Sequence, residues 1–458
     1  MTIVIPRKGE RRQPIYREIA DAIGKEVQAG RARPGTRLPT QRALARQLGV
    51  TLTTVTRAYE EAERRGLIAG EVGRGTYIQP QRIQDEAALH GESDAINLST
   101  NSLMPLAHAA ELADRLTTAV PRSASLGVFD YQPAAGARRN RIAGATWIAR
   151  TGLDVSVDRV VVTAGGQHGI FITLLAVTRP GDEMLVEEFT YSNLRKLAGE
   201  RGVRLKPLRM DKHGLLPSAL DAACRSGGKI LYTIPTLQNP TSSVMPDARR
   251  REIAAVARKH GLLVIEDDVY AYLVPEVAPL TKYLPEDQAI YITSLSKSVA
   301  PGIRIGYVAA PTSLLESLAA GISRTVVNAP PAMAELASTL ITDGTAVRMV
   351  DWKRKEVAAR QELVNRVLAG LRLQTHAFSP HVWLYLPDSW QTQTFVSQAK
   401  QRGVRINGAG DFAADPETSV QAVRICLGPP RNRTILEDAL RRLSMILHRT
   451  PELNELIV

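Results

Sequence analysis

The chain has 458 residues, 44% of them hydrophobic and 23% charged, which is enough apolar material for several buried cores and suggests roughly three domains at about 150 residues each. No apolar run approaches the roughly 18–20 residues that cross a bilayer, and the opening MTIVIPRKGERRQPIY lacks the apolar core of a secretory signal, so membrane proteins are excluded and a cytoplasmic location is expected. The net charge of +12 is unevenly placed: residues 1–80 hold fifteen Lys and Arg against eight Asp and Glu, a net of +7, which points to an anionic partner for that end.

In PIYREIADAIGKEVQAG, apolar residues at Ile15, Ile19, Ala22, Ile23 and Val27 form a helical stripe between a proline and Gly30. LPTQRALARQLGV predicts a second helix, with Thr40 as N-cap, Ala43, Leu44 and Leu48 inward and Gly49 as the stop. TLTTVTRAYEEAERRG predicts a third, carried by Val55, Ala58, Tyr59 and Ala62, so helices two and three form a helix-turn-helix. LIAGEVGRGTYIQP then reads as two short strands around a Gly-Arg-Gly tip, a wing.

Taken in order, GTRLPTQRALARQLGVTLTTVTRAYEEAERRGLI and GRGTYI resemble the winged helix of the GntR family of bacterial regulators. The resemblance implies binding to double-stranded operator DNA, with the third helix in the major groove and the wing and the start of helix two on the flanking backbone. Arg42 matches a DNA-contacting arginine, and Thr51, Thr53 and Thr54 match threonines that open the recognition helix, where hydroxyls and free amides suit phosphate oxygens. Leu52 and Thr56 stand where arginines often read bases, which leaves Arg57 and, at the wing tip, Arg74 as candidate contacts. Arg46, Arg64 and Arg65 serve equally well as solvated surface charges.

Residues 81–95, QRIQDEAALHGESDA, are polar without an amphipathic stripe and read as a linker. From residue 96 strands and helices alternate: RVVVTAG, EMLVEE, KILYTIP, GLLVIEDD and AIYITSLSK are buried strand runs separated by helical segments. That pattern predicts an α/β fold with a mainly parallel sheet covered on both faces and a ligand site outside the strand C-termini. Two distant cysteines, Cys224 and Cys426, and eight histidines without a spacing such as HExxH give no reason to expect a disulfide framework or a metal site.

The strand ends carry specific chemistry. Lys297 follows AIYITS between Ser294 and Ser296, with Arg304 in the loop beyond. A lysine amine in a low-dielectric cleft forms a Schiff base with an aldehyde, while the hydroxyls and the guanidinium suit a phosphate dianion, and an aldehyde that carries a phosphate is pyridoxal phosphate. EDDVY offers a buried carboxylate to keep a pyridine nitrogen protonated, IPTLQNPT offers Asn239 as a donor to the ring oxygen, TAGGQHG offers the amides of Gly166 and Gln167 at a helix start, and FTY offers Tyr191 as a stacking face.

Together IPTLQNPT, EDDVY and SLSKSVAPGIRIGY make residues 96 to about 448 similar to the fold type I aminotransferases. The resemblance implies Lys297 as the Schiff-base lysine, Arg304 as the phosphate anchor, Asp267 rather than Asp268 on the pyridine nitrogen, and Tyr270 beside Asn239 on the ring oxygen. It also implies Tyr131 in FDYQPAAG reaching the phosphate of a neighbouring subunit, Arg424 in VRICLGP gripping a substrate α-carboxylate, and a small C-terminal α+β part over about 346–458 after a large part over about 96–345.

A GntR winged helix, residues 1–80, joined to such a domain, residues 96–458, is the architecture of the MocR regulators, which the chain resembles over nearly its whole length. That implies a head-to-tail homodimer whose cofactor domain senses pyridoxal phosphate or an amino compound bound to it. LQNPTSS keeps the Asn-Pro of aminotransferases where many members read His-Gln-Tyr-Pro-Thr-Gly, which makes an active aminotransferase with an accessory DNA-binding domain the alternative expectation.

Overall fold

The structure is a computed structural model that describes residues 14–28, 36–64, 67–71, 75–78, 95–104, 107–123, 127–415, 417–418 and 420–448. Gly30, Arg65, Arg74 and residues 81–94 of the expected linker lie outside these. Two units, Met1–Asp94 and Ala95–Val458, are each internally packed.

In the N-terminal unit α1 spans Ile15–Gln28, α2 Gln41–Leu48 and α3 Leu52–Arg64, and β1, Ile68–Glu71, pairs antiparallel with β2, Gly75–Ile78. Their apolar faces close on one core of Ile19, Ile23, Leu44, Val55, Ala58, Tyr59, Ala62, Ile68 and Ile78. The Thr40 hydroxyl accepts from the Ala43 amide at 3.3 Å, and Gly49 ends α2 at φ +63°, a left-handed conformation that costs glycine nothing. One inward residue differs from expectation: Ala45 is buried and Ala43 is exposed. At about 100° per residue, Leu44, Ala45 and Leu48 share one arc and Ala43 falls on the far side of it.

The C-terminal unit is built on a seven-stranded sheet. Its strands are β4 Val160–Thr163, β5 Glu183–Glu187, β6 Arg204–Leu208, β9 Ile230–Thr233, β10 Leu263–Asp267, β11 Ala289–Ser294 and β12 Gly306–Ala309, in the order β4-β12-β11-β10-β9-β5-β6. A hairpin of β7, Met210–Asp211, and β8, Gly214–Leu215, lies between β6 and β9 in the chain. All pairings in the large sheet are parallel except those of β12, which runs against both β11 and β4. The chain between β11 and β12 is shorter than the dozen or so residues a parallel crossover needs, so it can only double back.

Helices α4 Ala109–Ser123, α5 Arg138–Ala149, α6 Gly166–Val177, α7 Ser192–Glu200, α8 Pro217–Arg225, α9 Asp247–His260, α10 Leu295–Ser298, α11 Leu315–Val326 and α12 Pro331–Thr342 surround it. Alternation along the strands sorts the two faces. Val161, Val186, Tyr232 and Ile292 pack with Ile170, Leu194 and Leu318 of α6, α7 and α11. Val160, Val162 and Tyr291 point the other way, to Trp147 of α5 and Leu336 and Leu340 of α12. On the same side Leu185, Leu231 and Val264 meet α8 and α9.

The long helix α13, Thr345–Val367, leads into a C-terminal lobe of β13 Leu373–Gln374, β14 His381–Tyr385, α14 Thr392–Gln401, β15 Val404–Arg405, β16 Asn407–Gly408, β17 Ala422–Cys426 and α15 Arg433–Leu447. Its sheet order is β13-β14-β17-β16. The short strand β3, Ile96–Asn97, joins this lobe by pairing in parallel with β15, and Leu98 is buried in its core with Val382, Trp390, Phe395 and Leu440. No helix among the described residues is long and apolar enough to cross a membrane.

Candidate functional site

Each strand on the long arm of the sheet ends at the same edge, and there the structure brings Gly166, Gln167, Tyr191, Asn239, Asp267, Tyr270, Ser294, Ser296, Lys297, Arg304 and Arg424 around one cavity of about 490 Å³. These are the sequence-predicted positions except for Tyr131, which is 82% exposed on a different surface with Phe129, Val326 and Val327.

Lys297 sits in α10 directly after β11, with Ser294 as N-cap. Its ammonium donates to the backbone carbonyl of Asn101, and burial holds its pKa down at about 8, against an ordinary value of 10.5. An amine with that pKa is a better nucleophile near neutral pH than a surface lysine. The Ser294 hydroxyl accepts from the Ser296 amide at 3.1 Å and donates to the Ser296 hydroxyl at 3.1 Å.

The opposite wall is carboxylate. Asp267 closes β10; its Oδ2 accepts from the Tyr232 hydroxyl at 2.5 Å, while its Oδ1 is buried without a partner. Burial pushes its pKa up to about 6, against the opposing pull of the Tyr232 bond and of Lys297. Asp268 faces away from the cavity and accepts from the Tyr291 hydroxyl at 3.2 Å. Tyr232 was not legible as a site residue because it reads as one more apolar strand position. The strand pairing supplies the missing signal: Tyr232 lies opposite Ile265, two residues before Asp267 and therefore on its face of the sheet.

At the turn from β4 to α6, Gly165 has φ +89°, and a Cβ there would come within 2.8 Å of the Arg304 guanidinium. Glycine thus lets the helix start, with its free amides, approach Arg304, whose Nη2 donates to the Ala164 carbonyl at 3.0 Å. Helix amides, the Ser294 and Ser296 hydroxyls and a guanidinium at one end of the cavity form an anion cradle. Arg424 comes from the other lobe on β17. Its Nη1 donates to Asn239 Oδ1 at 2.7 Å and its Nη2 to Asn407 Oδ1 at 3.3 Å and to the Ser99 carbonyl, while Nε is buried without a partner. The segment Ser99–Asn101 and Asn407 line the cavity too, and neither carries a motif that marks it in the sequence.

The residues fit pyridoxal phosphate on three grounds drawn from the geometry itself. An unpartnered buried carboxylate oxygen on Asp267 can take a pyridinium proton, a poised amine stands on Lys297, and the anion cradle lies on the same cavity. Tyr191 adds a half-buried ring, with its hydroxyl 3.4 Å from the Gln167 side chain.

In the N-terminal unit Arg42, Thr51, Thr53 and Arg57 are exposed on α2 and α3. Thr51 caps α3 through the Thr54 amide at 3.3 Å, and its hydroxyl lies 2.8 Å from that of Thr54. The Arg57 guanidinium lies over the Tyr16 ring at 5.7 Å. Leu52 is 44% exposed, and Thr56 donates to the Gln41 side chain at 2.8 Å, so Thr56 braces α2 against α3.

Comparison with known proteins agrees with both halves. Residues 93–443 match the aminotransferase class I and II family, and residues 15–78 match the gntR family of bacterial regulatory proteins. The chain is 30% identical over 441 residues to the HTH-type transcriptional regulator YdeF of Bacillus subtilis, covering 95% of each. It is 29% identical to the HTH-type pyridoxine biosynthesis transcriptional regulator PdxR of Corynebacterium glutamicum, over 64% of this chain and 66% of that one. An archaeal alanine:glyoxylate aminotransferase superposes with a TM-score of 0.73 at 22% identity, over 79% of this chain and 92% of that structure, a likeness of fold. With an aminotransferase class I and II domain over most of its length and a GntR-type helix-turn-helix before it, the chain belongs to the MocR-type HTH transcriptional regulators.

Proposed function

We propose that this regulator is a homodimer that binds pyridoxal phosphate at the Lys297 cavity, captures an amino compound there, and converts that occupancy into a change in affinity for double-stranded operator DNA. The observation that carries the reading is the arrangement of the Lys297 amine, the unpartnered Asp267 oxygen and the Arg304 cradle around one cavity. When bound, the cofactor supplies an electrophilic aldehyde on an electron-withdrawing ring. The chain would supply the rest: Lys297 would offer its amine, the ionised Asp267 would accept the ring N–H at Oδ1 while Tyr232 holds Oδ2, and Arg304 with Ser294 and Ser296 would hold the phosphate. Asn239 and Tyr270 would hold the ring oxygen, and Arg424 would offer its guanidinium to a carboxylate.

Lys297 and Arg424 belong to different lobes, so a ligand that engages both draws the lobes together. Such a coupling between sites is typically worth about 1–3 kcal/mol and acts equally in both directions. The relative PdxR is named a regulator of pyridoxine biosynthesis, and pyridoxine is a vitamer of the proposed cofactor, which supports the cofactor or its amine adduct as the sensed species.

A dimer is supported by the exposed apolar patch of Phe129, Tyr131, Val326 and Val327, 77%, 82%, 41% and 49% exposed. Phe129→Glu is expected to move the full-length chain from dimer to monomer in sedimentation velocity, and unchanged sedimentation rejects this face. The cofactor reading is tested by colour and capture. Purified protein given pyridoxal phosphate should absorb in the visible, and borohydride should fix the cofactor on Lys297, with Lys297→Ala losing the fixed label. Equal labelling of the variant removes Lys297 from the role.

A further inference from the structure

Lys353 is fully buried, and no carboxylate among the described residues pairs with it. Burying an ammonium that way is costly, and an apolar side chain of similar length would fill the same space without that cost. What Lys353 does with its charge is specific. Nζ donates to the backbone carbonyl of Val299 at 2.7 Å and to that of Lys297 itself at 3.2 Å. Seven residues on, two turns along α13 and on the same helix face, Arg360 Nη1 donates to the Leu427 carbonyl at 2.6 Å and to the Pro430 carbonyl at 2.9 Å. Gln361 donates to the Ser379 carbonyl at 2.7 Å. One helix therefore grips the turn under Lys297 at one end and the backbone of the C-terminal lobe at the other.

We propose that Lys353 is the positioning residue for Lys297: it clamps the turn that carries the amine to α13, so that a movement of the C-terminal lobe is delivered to the amine through the backbone. The role rests on Lys297 being the amine of the proposed site. The clamp explains why a lysine is kept here, since its long stem reaches two carbonyls that a Met or Leu cannot bind. The groups whose charge bears on it are few. Burial and the Lys297 ammonium both push its pKa down, to about 7, and His108, beside Glu111 and ahead of α4, feels its charge in turn.

The test reads the Lys297 amine directly and without cofactor. Full-length protein is acetylated with an amine-selective ester across pH, and labelling of the Lys297 peptide is followed by mass spectrometry. The wild-type midpoint should lie near 8. In Lys353→Met the freed turn lets the amine relax toward water, so the midpoint should rise by about half a unit or more and the ordinary lysine value be approached. Lys353→Arg keeps a charged multiple donor and should bring the midpoint back toward wild type. Lys353→Gln, with a shorter donor, is read in the same way should the Met variant not fold. Leu363→Ala, a buried change in the C-terminal half of the same helix, serves as the control for lost stability. A Lys353→Met curve that superimposes on wild type, or an equal shift in Leu363→Ala, overturns the role. A labelling shift in Lys353→Met, beside a wild-type chain that takes up no visible colour with pyridoxal phosphate, rejects the cofactor reading and leaves the clamp standing.

Discussion

On the proposed reading, Asp267 is a single residue spent on function against the fold. Its carboxyl is buried with one oxygen unpartnered, and its pKa rises to about 6 from an ordinary 3.8. A carboxyl that binds its proton more tightly in the folded chain contributes most to stability at low pH, and that contribution is lost as pH rises from about 4 through about 6. Above pH 6 the folded state therefore carries a charge it would be more stable without, by on the order of 2–3 kcal/mol at 1.36 kcal/mol per unit. Asp267→Asn keeps the shape and still accepts from Tyr232. It should raise the thermal midpoint at pH 7.5, with the gain shrinking as pH falls toward 5, while affinity for pyridoxal phosphate drops at least tenfold. A variant no more stable than wild type at pH 7.5 contradicts the burial argument. Lys297 and Asp267 were legible as cavity residues because Asp267 closes a strand and Lys297 follows one, each inside a specific motif. Tyr232 and Asn101 were not, because their place at the cavity depends on a neighbouring strand and on a segment far off in the chain.

Helices and strands were legible where one local rule decides them. The stripes of α1 and α3, the Thr40 cap and the run of buried strands ahead of the lysine follow from periodicity and turn chemistry alone. Pairings between distant segments left no local trace. β3 joins β15 across the whole large lobe, and the reversal of β12 sits inside a stretch whose residues read as cofactor chemistry. β12 also shows how closely the elements fit. Gly144 of α5 faces Tyr307 of β12, and a Cβ at that glycine would stand 2.4 Å from the ring. Glycine in a helix costs up to about 1 kcal/mol against alanine, so Gly144→Ala would stabilise a free helix, yet here it overpacks α5 against the sheet. A net loss of about 1–3 kcal/mol is expected from calorimetric or denaturant unfolding, and a neutral or stabilised variant would show that α5 is free to move off β12.

At the scale of the whole molecule, the two halves of the chain make different demands on one ligand. On the proposed reading the groups that exchange an amine all line the cavity: Lys297 as nucleophile and proton carrier, Asp267 as the partner of a ring nitrogen, and Arg424 as a carboxylate clamp. A catalyst must also discharge a keto acid and accept the next one rapidly, whereas a regulator gains by holding its ligand long enough to bias DNA binding. The winged helix makes that bias measurable, because phosphate contacts through residues such as Arg42, as proposed, would give an affinity that falls steeply with salt. Arg42→Ala should weaken operator binding and flatten the slope of log affinity against log salt by about one unit per winged helix. Amino donors are then screened on the cofactor-loaded protein in two assays run side by side, operator affinity and multiple-turnover transamination with several keto acids. At least one donor should change the visible spectrum and shift operator affinity by about 5- to 150-fold, the range that a coupling of 1–3 kcal/mol allows. Turnover with that donor should stay well below the roughly 10 per second typical of enzymes. Reciprocity adds a check that needs no assumption about mechanism: operator DNA must change the affinity for the donor by the same factor. Rapid turnover with every donor silent on DNA affinity would reverse the assignment and make the aminotransferase chemistry the function that the cavity serves.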